Sequence, residues 1–171
     1  MIIRPEKLDD IAAIRIVNER AFGRVEEADL VDALRRNDKA TISFVAEDSG
    51  SIIGHILFSP VTILPNLAGE TIATGIGLAP LAIIPEKQNQ RVGSTLIEHG
   101  LRKCRNEGFR FVVVLGHPAY YPRFGFIPAG RFNLRSEYNV ADDVFMAMEL
   151  VEGALSGCVG VVKYQPEFDD F

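Results

Sequence analysis

The sequence predicts a mixed α/β fold, and the prediction depends on three features of its apolar pattern. Two β-rich runs, Thr41 to Glu47 and Ser51 to Leu64, flank the turn Asp48-Ser49-Gly50 and together indicate a hairpin. Apolar residues at helical spacing occur twice before this hairpin and once after it. A strand, a long helix and a second apolar strand then follow one another between Thr71 and Leu115, which predicts a parallel step in the sheet.

The N-terminal part is predicted to hold one short strand and two helices. Ile2 and Ile3 form the strand, which we expect to break at Pro5. A first helix begins near Leu8, because apolar residues recur at helical spacing after it: Ile11, Ile14, Val17 and Ala21. A second helix is predicted from Glu26 to Arg36, since acidic residues open it and basic residues close it, as the helix dipole favours.

The third long strand is predicted to be irregular. It runs from Thr71 to Ile84, but Gly75, Gly77 and Pro80 interrupt its apolar pattern. Glycine weakens strand pairing and proline cannot donate a hydrogen bond to the sheet, so these residues indicate a bulge or bend. We expect the bulge to separate this strand from the apolar strand Phe111 to Leu115.

The longest helix is predicted to begin near Arg91 and to end before Gly108, which can adopt the left-handed C-cap conformation. A short helical turn follows between Pro118 and Phe124. Two further strands are expected at Val144 to Leu150 and at Val159 to Tyr164.

Composition indicates a folded protein and disfavours a nucleic-acid partner. The chain has 171 residues, of which 47% are apolar and 24% charged, so we expect a single domain over 1–171 with 152–171 as a C-terminal extension. The net charge of −5 argues against binding to a phosphate backbone. No apolar run approaches the roughly 18 residues that span a bilayer. We therefore expect a cytoplasmic protein without membrane or nucleic-acid partners, as a monomer or homodimer.

Cysteine and histidine usage gives no sign of a metal site. Cys104 and Cys158 are far apart, and the three histidines are scattered along the chain. Cys104 lies on the apolar stripe of the longest helix and His55 lies in an apolar strand, so both are expected in the core.

A polar turn between a strand and the longest helix is the segment most suggestive of ligand binding. The strand ends at Ile84, and the helix that follows presents first-turn amides without intrahelical partners, which favours an anion such as phosphate. An ordinary strand-to-helix connection is the alternative interpretation. The turn lacks a Walker ending, and Gly75-Ile76-Gly77 leads into Pro80 and more strand, so neither a nucleotide-hydrolysis loop nor a dinucleotide fingerprint is indicated.

Two motifs give the chain a resemblance to a known family. Gln88-x-x-Arg91-x-Gly93 at the head of the helix resembles motif A of the GCN5-related N-acetyltransferase (GNAT) superfamily. Tyr120-Tyr121-Pro122-Arg123-Phe124-Gly125-Phe126 resembles its motif B, about one strand-helix unit downstream. The segments Gly54 to Val61 and Gly116 to Tyr121 are similar to a YhbS-like bacterial branch of predicted acetyltransferases. The resemblance spans roughly Ile2 to Leu150 and implies a GNAT fold, with a mixed sheet of about seven strands flanked by about four helices.

The sequence departs from motif A at one position, where Arg91 replaces the first glycine of the family pattern. We expect Arg91 to take an ordinary helical conformation and either to project away or to bring its guanidinium to a phosphate. The backbone amides of the turn remain in place.

The resemblance implies an N-acetyltransferase that takes acetyl-CoA as its acyl donor and uses no metal. The pantetheine arm would bind the backbone of Leu81, Ala82 and Ile83, and the pyrophosphate would bind the turn formed by Gln88, Asn89, Gln90, Arg91, Val92, Gly93 and Ser94. A primary amine would attack the thioester directly, without a covalent enzyme intermediate. Tyr121 matches the family tyrosine that acts as general acid to the departing CoA sulfur.

Several points remain open at the level of sequence. Glu26, Glu27 and His117 are candidates for the general base, and none is assigned. The acceptor could be a small-molecule amine, a protein N-terminus or a lysine. A catalytically silent acyl-CoA-binding module and an acyltransferase with a different acyl donor are the alternative functions.

Overall fold

The computed structural model describes residues 1–66 and 68–169. Three α-helices occur in this part: α1 (Ile11–Phe22), α2 (Glu26–Arg36) and α3 (Val92–Asn106). The strands are β1 (Ile2–Pro5), β2 (Ile42–Asp48), β3 (Ser51–Leu64), β4 (Ala73–Ile83), β5 (Phe111–Leu115), β6 (Ile127–Pro128), β7 (Leu134–Ser136), β8 (Phe145–Glu149) and β9 (Gly160–Lys163). None of the helices in the described ranges has both the length and the apolar character needed to cross a membrane.

The strands pair in a mixed sheet, as predicted. Their order is β1-β2-β3-β4-β5-β8-β6, and β9 pairs with β3 and β7. The pairs β1–β2 and β2–β3 are antiparallel, whereas β4 and β5 are parallel, with Ile76 opposite Val112 and Leu78 opposite Val114. The GNAT fold expectation is confirmed; the strands beyond the expected seven or so are short, since β6 has two residues and β7 has three.

The chain divides into two compact units. The first unit contains Met1–Ser59, Ala79–Lys103 and the C-terminal residues from Pro166. The second unit contains Pro60–Leu78 and Cys104–Gln165. The single domain with a C-terminal extension stays a prediction.

In the first unit, two glycines allow α3 to pack closely on β3. A Cβ atom added to Gly54 would lie 2.8 Å from Ile83 Cδ1 and 3.1 Å from Leu96 Cδ1. A Cβ atom on Gly100 would lie 2.4 Å from Phe58 Cε2. Real side chains do not approach this closely. Glycine at both positions is therefore required for α3 to pack at this distance from β3, and this packing sets the position of the first turn of α3.

In the second unit, the glycines of β4 make room for aromatic rings. A Cβ on Gly75 would lie 2.4 Å from Phe111 Cε2, and one on Gly77 would lie 3.1 Å from Tyr164 Cε1. Close packing of these rings is therefore a sufficient reason for glycine in this strand. Among the strand pairings that the structure describes, the register irregularity lies in the β2–β3 pair, and the bulge in β4 stays a prediction.

Candidate functional site

Two residues of the polar turn before α3 adopt the left-handed backbone conformation. A short 3₁₀ turn, Pro85–Lys87, follows β4, and Asn89 and Arg91 then take φ angles of +59° and +66°. The helix begins at the next residue, Val92. The prediction that Arg91 takes an ordinary helical conformation is therefore wrong.

The physical reason lies in what the Arg91 backbone must do at the start of the helix. Its carbonyl oxygen accepts two hydrogen bonds from Thr95, one from the backbone N–H at 3.0 Å and one from Oγ1 at 2.9 Å. The chain must reverse direction sharply before this carbonyl can point into the helix. Left-handed backbone achieves the reversal at a cost of about 1–2 kcal/mol for a residue with a side chain. Arg91 thus holds the backbone conformation that glycine favours in the family pattern.

The first turn of α3 presents backbone amides suited to an anion. The N–H groups of Val92 and Gly93 precede the bond from Thr95 to Arg91, so helix geometry gives them no intrahelical acceptor. The positive end of the helix dipole lies at the same place. Gly93 is half-buried and has no side chain, which lets a ligand approach the backbone.

Two glutamines shape this turn by bonding its own backbone. Gln88 Nε2 donates to the carbonyl of Ile83 at 3.1 Å, and Gln90 Nε2 donates to the carbonyl of Glu86 at 2.8 Å. Both residues were predicted to belong to the turn that binds the pyrophosphate of acetyl-CoA. These bonds show that both side chains support the conformation of the turn.

Two ion pairs hold the turn against other parts of the first unit. Lys87 Nζ lies 2.8 Å from Asp48 Oδ2 on the β2–β3 hairpin, and Arg20 on α1 lies 2.5 Å from Glu86 Oε1. The hydrogen bond from Lys87 lowers the pKa of Asp48. Because solvent screens exposed pairs of this kind, they add little to the overall stability. Their effect is to reduce the freedom of the turn before a ligand arrives.

Tyr121 lies in an aromatic cluster within the second unit. It begins the 3₁₀ turn Tyr121–Phe124, and its ring meets those of Tyr120 and Phe126 edge-on, at centroid distances of 5.2 Å and 5.7 Å. A Cβ atom on Gly116 would lie only 2.1 Å from Tyr121 Cε2. Gly116 is therefore required for the position of the Tyr121 ring, a role that the sequence motif did not reveal.

The Tyr121 hydroxyl is protonated at neutral pH. Burial raises the pKa of this phenol, because the charged phenolate is poorly solvated there, and the neutral, proton-bearing form is therefore the one in the folded protein. Among the described residues, no side chain holds its hydroxyl in a hydrogen bond. The ring of Tyr120, by contrast, packs against that of Phe124 with centroids 5.5 Å apart, and Arg123 Cζ lies 4.1 Å from the Tyr120 ring centroid. These contacts fit the packing role expected for Tyr120.

The three candidates for the general base have different surroundings. Glu27 is 2% exposed, and its carboxylate accepts hydrogen bonds of 2.5 to 3.1 Å from the Arg24 guanidinium. Glu26 lies at the start of α2 and lines a surface groove of the first unit. His117 is exposed, and its Nδ1 accepts a hydrogen bond from the Ala119 N–H at 3.1 Å. The Glu27 carboxylate is thus engaged by Arg24, and no base is assigned among the three.

His55 and Cys104 are core residues, as predicted. His55 is fully buried, with Asn18 Nδ2 3.2 Å from Nδ1 and Ser43 Oγ 3.0 Å from Nε2. Cys104 is also fully buried, and burial raises the pKa of its thiol to about 12. A thiol with so high a pKa is not a nucleophile at neutral pH. No cluster of three or more metal-ligating side chains occurs in residues 1–66 and 68–169.

Comparison with known proteins agrees with these features. The pattern of the Acetyltransferase (GNAT) family matches residues 11–126. The uncharacterized N-acetyltransferase YhbS of Escherichia coli strain K12 is 36% identical over 172 residues, which covers 100% of both chains.

Two solved structures resemble the whole chain. The crystal structure of E. coli YhbS in complex with CoA superposes with a TM-score of 0.92 at 35% identity, covering 99% of this chain and 92% of that one. A GNAT acetyltransferase from Brucella melitensis in complex with acetyl-CoA superposes with a TM-score of 0.79 at 35% identity, covering 98% and 97%. On the family match and the full-length identity, the chain belongs to the GNAT acetyltransferase family.

Proposed function

We propose that this protein transfers an acetyl group from acetyl-CoA to a primary amine. The observation that carries the proposal is the turn at Asn89 and Arg91, whose left-handed backbone leads directly into the first-turn amides of α3. The complexes of its relatives with CoA and acetyl-CoA support the same donor. Bound acetyl-CoA supplies an acyl group activated as a thioester.

The donor is held mainly by backbone atoms of the first unit. The N–H groups of Val92 and Gly93 bind the pyrophosphate, and the rest of the turn, 88–94, surrounds it. Residues 81–83 at the end of β4 bind the pantetheine arm as an added strand would bind. The Ile83 carbonyl already accepts a bond from Gln88, so we expect Leu81 to offer the freer carbonyl.

Tyr121 acts as the general acid that protonates the leaving CoA sulfur. The phenol carries its proton at neutral pH and can pass it to the CoA sulfur as the carbon–sulfur bond breaks and negative charge develops on that sulfur. The acceptor amine attacks the thioester directly, as the family resemblance implies, and the fully buried Cys104 is not available as a nucleophile. The amine must be neutral when it attacks. Its nitrogen loses one proton to solvent as the amide forms, and Tyr121 regains a proton from solvent after the CoA thiol leaves.

The test is a screen of amines for release of free CoA thiol from acetyl-CoA. We expect release that depends on the amine and is lost in Tyr121→Phe. Binding of acetyl-CoA by calorimetry without release for any amine would favour a silent acyl-CoA-binding module. Faster release from a longer acyl-CoA would favour another donor, and absence of binding at millimolar acetyl-CoA would remove the proposal.

A further inference from the structure

A groove in the second unit is lined by two arginines and by apolar side chains. Its volume of about 420 Å³ is the size of a small-molecule site. Arg131 lies in the 3₁₀ turn Ala129–Phe132 and Arg135 lies on β7. One carboxylate, that of Asp142, also lines the groove, so the arginines leave it with net positive charge in a chain whose net charge is −5.

Neither of the two guanidiniums forms an ion pair in the described part of the chain. Both arginines are exposed, and within the described ranges no Asp or Glu oxygen lies within 4.0 Å of either one. Arginines of the first unit behave differently: Arg4 is held by two carboxylates, at 2.6 Å and 2.7 Å. Arg35 likewise contacts two carboxylates, each at 2.9 Å. Unpaired guanidiniums that share one groove are a recognition site for an oxyanion.

The groove also has an aromatic and aliphatic wall. Tyr138, Val140 and Phe145 contribute apolar surface to it. The ring of Tyr138 is packed against that of Tyr164, with centroids 5.8 Å apart, and its backbone N–H donates to Ser136 Oγ at 3.1 Å. The Tyr138 ring is therefore held in place, and a flat or aliphatic ligand can rest on it without ordering that side chain.

The groove lies at the end of the β5–β8 pair from which the Tyr121 segment departs. Phe145 in the groove wall is opposite Leu115, the last residue of β5. The next residue, Gly116, donates its N–H to the Val144 carbonyl at 2.9 Å, and the chain then continues to Tyr121. The groove is thus adjacent to the segment that begins at Gly116 and carries Tyr121, the proposed general acid.

We propose that this groove binds the acceptor, and that the acceptor is an apolar amine that also carries a carboxylate or phosphate group. The proposal rests on the proposed function and names its substrate class. Arg131 and Arg135 bind the oxyanion, while the wall of Tyr138 and Phe145 binds the apolar body. Polyamines are disfavoured because the same arginines repel them.

Binding of matched amines to the protein without donor tests the groove alone. The probes are 4-(aminomethyl)benzoate, its neutral analogue 4-methylbenzylamine, and 4-(aminomethyl)phenylphosphonate. We expect at least one of the two anionic probes to bind about tenfold or more tightly than the neutral one in calorimetric titration, as charge-assisted bonds to arginine imply. Whichever anion binds more tightly identifies the oxyanion. Equal binding of all three probes would overturn the proposal.

Arginine variants locate the binding. Arg131→Gln and Arg135→Gln should each weaken the anionic probe about tenfold and leave the neutral probe unchanged. Arg105→Gln makes the same charge change at an exposed position at the end of α3 and should leave both probes unchanged. If Arg105→Gln weakens the anionic probe as much as the groove variants do, the effect is one of overall charge and the proposal is wrong.

A second readout separates this proposal from the proposed function. Thiol release from acetyl-CoA should be faster with the preferred anionic probe than with 4-methylbenzylamine, and Arg131→Gln should raise KM with little change in kcat. Release with the neutral amine alone would contradict the groove assignment and leave the acetyltransferase intact. Tight groove binding with no release from any amine would contradict the acetyltransferase and leave the oxyanion site intact.

Discussion

The two units of the molecule provide function by different means. In the first unit, the proposed donor site consists of backbone atoms, and the side chains around it serve to hold the turn: Gln88 and Gln90 bond its carbonyls, and Lys87 pairs with Asp48. In the second unit, the proposed chemistry belongs to side chains, above all the Tyr121 hydroxyl.

The units also differ in how they are packed. Apart from tyrosines, the buried polar and charged side chains of the described residues lie in the first unit: Asp10, Asn18, Glu27, His55 and Ser59. The second unit packs apolar and aromatic residues around Tyr121 and Tyr164. Substitutions in the first unit should therefore act through backbone conformation and ionisation, and those in the second through loss of a particular functional group.

The most complete effect, loss of donor binding altogether, is expected from Gly93→Val in the first turn of α3. Acetyl-CoA at about 100 times its Kd should stabilise the wild-type protein by about 2.7 kcal/mol, seen as a rise in Tm. The added isopropyl group would block approach to the amides, so the rise should vanish in this variant. Glu98→Val introduces the same side chain on the exposed face of α3 and should keep the full rise. A folded Gly93→Val protein with a normal rise would show that the phosphate binds elsewhere.

The next effect is expected from Tyr121→Phe. Removing one oxygen should lower the single-turnover rate about 10²- to 10⁴-fold, because proton donation acts in the transition state, while the Kd of acetyl-CoA stays nearly unchanged. Equal chemical rates in the two proteins would end the assignment of Tyr121 as general acid.

Two neighbouring variants sharpen that result. Tyr120→Phe deletes the same atom from a packing residue and should leave the chemical rate within a few-fold. Gly116→Ala places a methyl group against the Tyr121 ring and should reduce the rate although the hydroxyl is retained. A normal rate in Gly116→Ala would mean that the position of the ring does not matter.

A smaller effect should appear in the pH dependence of stability. Burial lowers the pKa of His55 below its ordinary 6.5, despite the opposing effect of the Glu6 carboxylate, whose Oε2 lies 3.7 Å from Nε2. Below pH 6.5, His55 therefore binds a proton in the unfolded chain but not in the folded protein. As a result, the free energy of unfolding falls as the pH falls. The slope contributed by one such group is at most about 1.4 kcal/mol per pH unit.

Urea unfolding between pH 8 and pH 5 measures this slope. His55→Gln should flatten it, whereas His117→Gln, at an exposed position, should not. The Glu6 carboxylate titrates in a separate pH range. Although burial raises its pKa, the neighbouring His55 ring and the hydrogen bonds from Arg35 and Ser43 lower the pKa below the ordinary 4.5 overall. Its contribution is present above pH 4.5 and is lost as the pH falls below that value. An unchanged slope in His55→Gln would exclude His55 as the source.

Elements with a strong local signal could be predicted from the sequence. The bounds of α2, β3 and β5 match the prediction, because charge at the helix ends, a turn and an unbroken apolar run each mark a boundary locally. The short strand β7 was missed, because three residues carry no period and the strand exists only by pairing with β9.

Only the residues that belong to the two sequence motifs could be predicted as parts of the site. Gln88, Gly93 and Tyr121 could be identified by type and spacing, yet Gly116 depends on a ring five residues away, and the shared groove of Arg131 and Arg135 depends on the fold. The Arg91 conformation was mispredicted because a residue's φ at a turn depends on the bonds made afterwards, here those of Thr95.

The smallest effect is expected at Arg91, where it isolates the backbone from the side chain. Both Arg91→Gly and Arg91→Ala remove the guanidinium, but only glycine relieves the left-handed strain at φ +66°. Arg91→Gly should therefore be about 1 kcal/mol more stable than Arg91→Ala in urea unfolding. Arg102→Gly and Arg102→Ala, at an exposed position inside α3, provide the control, and there the order should reverse, because glycine costs about 1 kcal/mol relative to alanine in a helix interior. If alanine is the more stable replacement at both positions, the left-handed turn is not the conformation of this protein in solution, and the backbone account of its donor site fails with it.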